Sequence, residues 1–232
     1  MEKSKLLAKF FSLAGNQKIK ECAEVREKLS AYINRKGYDQ QICDAILIID
    51  ANICEHSEIA HKRWRAKVLN MLDRITDSDQ WDIGSVMLLA ASLDHANTYG
   101  QAKVLLKGAL KELKKYSGKN KLYSGIKAAL YTNMLNRLVK AKYFDMTEGE
   151  EPEELKELFK EYFDKLIILC EMEEFPGSRI HEALAFVREG IFIRDTQLVR
   201  IGLNLLKKLN ETEIYDTMLK EWEYYEEIMA VR

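Results

Sequence analysis

This chain predicts an all-α protein of about eleven helices folded as antiparallel hairpins, and three observations carry the prediction. Apolar residues recur every three or four positions almost from end to end, which is the period of one helix face. Only two prolines occur, Pro152 and Pro176, and both fall in acidic or Gly-flanked breaks between periodic stretches. Proline removes a backbone donor and clashes inside a helix, so its scarcity leaves the helices uninterrupted. Most breaks are short, and a short connection forces neighbouring helices to fold back on one another.

The elements follow from this punctuation. A first helix covers Lys3 to Ala14 and ends at Gly15-Asn16; a second runs from Gln17 to Arg35 and closes at Lys36-Gly37. Asp39 is placed to cap a third, reaching Asn52, because its carboxylate can accept from the free amides of the first turn. Ser57 plays that part for a fourth, to Ile75. The polar knot Thr76 to Asp79 precedes a fifth helix from Trp81 to Ala96, and a tight turn leads to a sixth from Thr98 to Tyr116. After the turn cluster Ser117 to Asn120, a seventh spans Leu122 to Tyr143, and the acidic loop Asp145 to Glu151 follows. Pro152 occupies a favoured first-turn position, with Glu153 and Glu154 complementing the dipole of an eighth helix that ends near Glu171. Phe175-Pro176-Gly177 breaks the chain again. Ser178 to Ile193 and Asp195 to Leu209 form the ninth and tenth, and Asn210 with Glu213 resembles a capping box opening the last helix to Val231.

Hairpins in series suggest a solenoid. Candidate pairs begin near residues 39, 81, 122 and 178, so the first two steps are close to 42 residues and the third is stretched by the acidic loop. This divides the single helical-repeat domain 1–232 into N-terminal capping helices (1–37), repeat hairpins (38–209) and a C-terminal capping helix (210–232).

One unit carries a recognisable pattern. Val86, Leu89, Ala90 and Leu93, then Ala102, Leu106 and Ala109, place large and small residues at fixed offsets, with Tyr99 at a position usually aromatic. Between Ile83 and Tyr116 the chain thereby resembles a tetratricopeptide repeat, a 34-residue helical hairpin. Close helix approach needs Ala facing a bulky neighbour, which makes the pattern physically intelligible. Lys114 stands where the family has proline and Val86 where it has tryptophan, and the other hairpins keep only a loose large-small alternation. The resemblance implies a right-handed superhelix of hairpins, a TPR-like α-solenoid, whose concave face binds a peptide or partner segment without catalysis.

Composition fits a soluble globular protein: 47% hydrophobic, 31% charged, net charge −1. The cysteines Cys22, Cys43, Cys54 and Cys170 sit singly, without a CxxC pair, and read as reduced core thiols. Lys5 and Lys9 interrupt the apolar run a secretory leader would need, and no run approaches the ~20 apolar residues that span a bilayer. A cytoplasmic setting without membrane contact is expected.

Searching for chemistry yields little. Glu58 and His61 form an ExxH pair beside His56, but a di-iron bundle needs a second such pair, and neither His95 nor His181 has a Glu three residues before it. No histidine follows an Arg at the spacing of helical nucleases. The glycines Gly84, Gly100, Gly108, Gly118 and Gly125 are isolated, so no phosphate loop exists. No catalytic residue, metal site or cofactor is assigned.

Charge is distributed less evenly than its total. From Lys103 to Lys142 eleven basic residues face Glu112 alone, while from Asp145 to Glu174 twelve acids face three lysines. Such asymmetry can mark an anion-binding face, including one for nucleic acid. Lys103, Lys107, Lys111 and Lys114 lie opposite Leu106, Ala109 and Leu113 and read as a solvated face. Asn133, Arg137 and Lys140 form a separate stripe which, in a solenoid, would line the groove beside Asp94 and His95 and suit an acidic peptide. The terminal stripes, Leu6, Leu7, Phe10 and Phe11 at one end and Tyr215, Met218, Trp222, Tyr225 and Met229 at the other, read as caps, with a homodimer through the last helix as the alternative.

The sequence therefore points first to a non-enzymatic protein- or peptide-binding helical-repeat module acting as an adaptor or regulator. A nucleic-acid-binding helical protein using the 103–142 region is the second expectation. A helical-bundle metalloprotein or enzyme around His56, Glu58 and His61 is the third.

Overall fold

Caps start and stop the helices at most of the punctuation marks. In the computed structural model, which describes residues 2–14, 19–53, 58–78, 81–116, 121–145, 152–172 and 175–231, eleven α-helices and no strand occur among the described residues. They are α1 (Glu2–Ala14), α2 (Ile19–Lys36), α3 (Gln40–Ile53), α4 (Glu58–Thr76), α5 (Ile83–Ser92), α6 (Tyr99–Leu113), α7 (Lys121–Lys140), α8 (Glu153–Met172), α9 (Ser178–Ile193), α10 (Thr196–Lys208) and α11 (Thr212–Val231). Asp39 accepts from the Ile42 amide at 3.2 Å, as expected of a cap. Asp82, Thr98 and Asp195 open α5, α6 and α10 in the same way. Ser57 and the loop 146–151 lie outside the described residues.

Three expected boundaries need correction. The fifth helix is shorter than Trp81 to Ala96: α5 stops at Ser92, whose hydroxyl bonds back to the Leu88 carbonyl, and tightens into a 3₁₀ turn at Leu93–His95. The seventh ends in a wider π turn, Ala141–Asp145. Asn210 does not open the last helix. It takes a left-handed φ of 57° and ends α10, with its own amide on the Lys207 carbonyl and the Glu211 amide on the Leu206 carbonyl, which together satisfy two orphan carbonyls. Glu213, freed from the capping box, accepts instead from the Lys20 amide of α2 at 2.6 Å.

Each helix packs on its sequence neighbour, and a second set of contacts joins α1 to α3, α3 to α5, α5 to α7, α7 to α9 and α9 to α11. Polar cross-links show that α3, α5, α7 and α9 run parallel. Asn52 meets His95, Asn133 meets Ala90 and Asn136 meets Asp94 at sequence separations of 43, 43 and 42. Between α7 and α9 the separation rises to 49 at Thr132 and His181 and 48 at Tyr143 and Ile191. Adjacent helices run antiparallel: Phe159 stacks on Phe192 and Phe163 meets Phe186 edge-on across α8 and α9.

α7 lies at the centre. From Leu130 to Val139 all but Asn133 are buried, and α5, α6, α8 and α9 surround the helix. Its polar side is covered as well as its apolar one, since Thr132, Asn136 and Arg137 are buried along with the leucines. The terminal stripes are covered within the chain. Phe10 is buried, with Leu6, Leu7 and Phe11 packed on the core, and Met218, Trp222 and Tyr225 are buried, with Tyr215 and Met229 beside them. No helix among the described residues is long and apolar enough to cross a membrane.

Candidate functional site

Where α5 tightens and turns toward α6, main-chain carbonyls lose their helical partners and need donors from elsewhere. α7 supplies them. Asn133 Nδ2 donates to the Ala90 carbonyl. Arg137, only 1% exposed, donates from Nε to the Ala96 carbonyl and from Nη2 to the Asn97 carbonyl, both at 2.8 Å, and also pairs with Asp145 in the π turn. The planar guanidinium can reach all three because its donors diverge in one plane.

One turn along, Asp94 accepts from Asn136 Nδ2 at 2.9 Å and from Lys140 Nζ at 3.0 Å. Burial pushes this carboxyl up, but Lys140, His95 and Arg188 together outweigh burial and hold it well below the usual carboxylate range. His95 is buried, with Nε2 placed 3.0 Å from Asn52 Oδ1, an acceptor, so that nitrogen carries the proton. The five residues expected to share a site, Asp94, His95, Asn133, Arg137 and Lys140, thus converge. Their donors meet one another, chain carbonyls and neighbouring acids, and an incoming carboxylate would have to displace Asp94, Asp145 or the main chain to reach them.

The cluster extends to residues the sequence reading passed over. Arg188 of α9, 1% exposed, pairs with Glu221 of α11 and contributes to the field around Asp94. Its signal was an arginine inside the apolar stripe Leu184, Val187 and Ile191. α3 carries two further buried carboxylates: Asp44 accepts from Arg74 of α4 with both oxygens, and Asp50 from Arg26 of α2. Paired charges of this kind join helices, since an unpaired buried charge would be expensive.

Burial pushes the Cys22 and Cys170 thiols up to about 11 and about 12, which leaves them protonated. Burial lowers His181 to about 4, so it stands neutral beside Thr132, whose Oγ1 is 2.8 Å from His181 Nδ1. Among the described residues no three His, Cys, Asp or Glu side chains are grouped to hold a metal ion; His56 and the side chains of Glu58 and His61 lie outside them.

Among the described residues, several bases of the stretch 103–142 are engaged within the chain. Lys103 pairs with Glu154 at 2.8 Å, Lys115 with Glu112, Arg137 is internal, Lys140 reaches Asp94, and Lys142 donates to the Phe192 carbonyl at 2.7 Å. That last bond and the Tyr143 hydroxyl on the Ile191 carbonyl cap the C-terminal end of α9. No family model matches the chain, and no curated protein or solved structure matches it.

Proposed function

We propose that the protein is a non-enzymatic helical-repeat module that binds another protein or peptide as an adaptor or regulator, its hairpins stacked as a right-handed superhelix. The observation that carries this reading is the constant offset of 41 to 43 residues linking α3 to α5 and α5 to α7. Equal steps between parallel helices are what stacked hairpins of equal length produce. The polar seam supports the same reading, because charges engaged with one another fix the angle between units. Partner contact then falls to exposed surface, while Asp94, His95, Asn133, Arg137 and Lys140 act as positioning residues behind it.

Cross-linking the purified chain in cell extract tests the reading. It should trap one or more proteins saturably, with unlabelled chain competing for them. Failure to trap any, combined with turnover of a small molecule by the pure protein, would remove it.

A further inference from the structure

α9 packs on both α8 and α10, which have no comparable contact with each other, so one face of α9 floors a groove between them. Phe186 lies at its centre. Its ring meets Phe163 of α8 edge-on at 6.0 Å, and with Ile201 and Leu205 of α10 it lines an open cavity of about 340 Å³. Ile201 is 50% exposed beside Phe186 and Leu205, so the cavity presents contiguous apolar side chains to solvent.

The groove differs in charge between its two ends, an ion pair with a further lysine at one and neighbouring carboxylates at the other. At the N-terminal end of α9 stand Arg179 and Lys208, with Glu182 paired to Arg179 at 2.6 Å. About ten residues on, Glu189 lies close enough to Asp164 and Asp195 to feel both. Burial first, then those two carboxylates, push the Glu189 carboxyl up. A cation laid over this end would relieve the crowding, and an anion would be drawn to the other.

We propose that this groove docks an amphipathic helix of a partner protein, about three turns long, acidic in its first turn and basic in its last. Helices pack about 8–10 Å apart, so α8 and α10, which both pack on α9 without comparable contact with each other, stand at most about 16–20 Å apart, and a further helix can lie over α9 between them. An extended strand would leave its backbone groups unpaired over this apolar floor, whereas a helix satisfies its own. The order of charges follows from the helix dipole, which favours acids at the start and bases at the end. The docked helix therefore runs parallel to α9, with its acidic turn over Arg179 and Lys208 and its basic turn over Glu189 and Asp164. The proposal rests on the partner-binding reading and adds to it a surface and a ligand chemistry.

A labelled helical peptide of about 14 residues, with leucines spaced three and four apart, Glu in the first turn and Lys in the last, is the probe. Fluorescence anisotropy should show saturable binding, weakened at least about tenfold by Ile201→Glu, a half-exposed position where folding is checked by circular dichroism. Lys208→Glu should weaken this peptide and strengthen a version with Lys at both ends. Equal binding of the two peptides to the wild type, or unchanged binding to Ile201→Glu, would overturn the proposal. Proteins cross-linked equally by wild type and Ile201→Glu would also overturn it, while leaving the broader partner-binding reading in place.

Discussion

Gly202→Ala separates what helix propensity predicts from what packing predicts. Alanine is favoured over glycine in a helix interior by about 1 kcal/mol, so a sequence-level argument expects the variant to be more stable. The structure reverses the sign. A Cβ at Gly202 would lie 2.5 Å from the Ala183 carbonyl oxygen, 2.7 Å from Val187 Cγ2 and 2.9 Å from the Val187 amide nitrogen. Two of these three atoms are backbone, so no side-chain rotation relieves the collision, and α10 must move away from α9. Overpacking of this kind typically costs 1–3 kcal/mol, and the backbone collision puts it at the upper end. Subtracting the propensity gain leaves a net loss of about 2 kcal/mol, or a fall in Tm of about 4–8 °C for a domain of this size. Gly100→Ala is the control, because its Cβ meets only Thr98 Oγ1 at 3.7 Å and should raise stability by a few tenths to about 1 kcal/mol. Chemical denaturation of both variants checks the pair. A Gly202→Ala protein as stable as the wild type would refute the close approach of α9 and α10.

Arg137→Met should lower stability by about 3 kcal/mol in urea titration, since it strands the Ala96 carbonyl and Asp145 without their guanidinium; a loss under about 1 kcal/mol would count against the seam. His181, lowered to about 4, gives stability a pH dependence with a defined sign. Below about pH 6.5 the unfolded chain binds a proton that the native imidazole refuses, so stability falls from there down to about pH 4, by about 3 kcal/mol in all. Urea midpoints of wild type and His181→Gln should converge across that window, and parallel curves would be contrary. At pH 8 Cys22 should alkylate roughly a hundredfold and Cys170 roughly a thousandfold more slowly in the native protein than in urea, as measured by peptide mass spectrometry, because burial keeps both thiols protonated.

Helix number and hairpin order were legible because they depend on local periodicity and on caps within a few residues of each boundary. Asp39 shows this: the donor it caps is three residues away. Asn210 shows the limit. Its side chain suits an N-cap, but its backbone occupies the left-handed region that ends α10, and the choice between the two roles lies in backbone angles. The stripe Asn133, Arg137 and Lys140 was visible as a stripe, and its neighbours Asp94 and His95 followed from the step of about 42 residues. What covered it was not visible. A wheel drawn on α7 puts Leu130, Tyr131, Met134, Leu135, Leu138 and Val139 on one half and Asn133, Asn136, Arg137 and Lys140 on the other, the pattern of a helix with one wet face, so only the tertiary fold shows that the polar half is enclosed. Arg188 and Glu221 are 33 residues apart and share no period, so only the tertiary fold pairs them.

Hydrophobic contact between parallel helices leaves their register weakly defined, because sliding by one turn of about 5.4 Å brings similar apolar side chains back into contact. Hydrogen bonds between particular buried atoms remove that freedom. In this protein the junctions between parallel helices carry such pairs: Asn52 with His95 from α3 to α5, Thr132 with His181 and Tyr143 with Ile191 from α7 to α9. The α5 to α7 junction has Asn133 on the Ala90 carbonyl and the Arg137 and Lys140 seam beyond it. Slipping one turn would leave each of these buried groups without its partner, at about 1–3 kcal/mol apiece, so a handful of polar contacts selects one register from several of similar apolar burial. That selection also fixes where α8, α9 and α10 stand relative to one another, and hence the width of the groove that Phe186 floors.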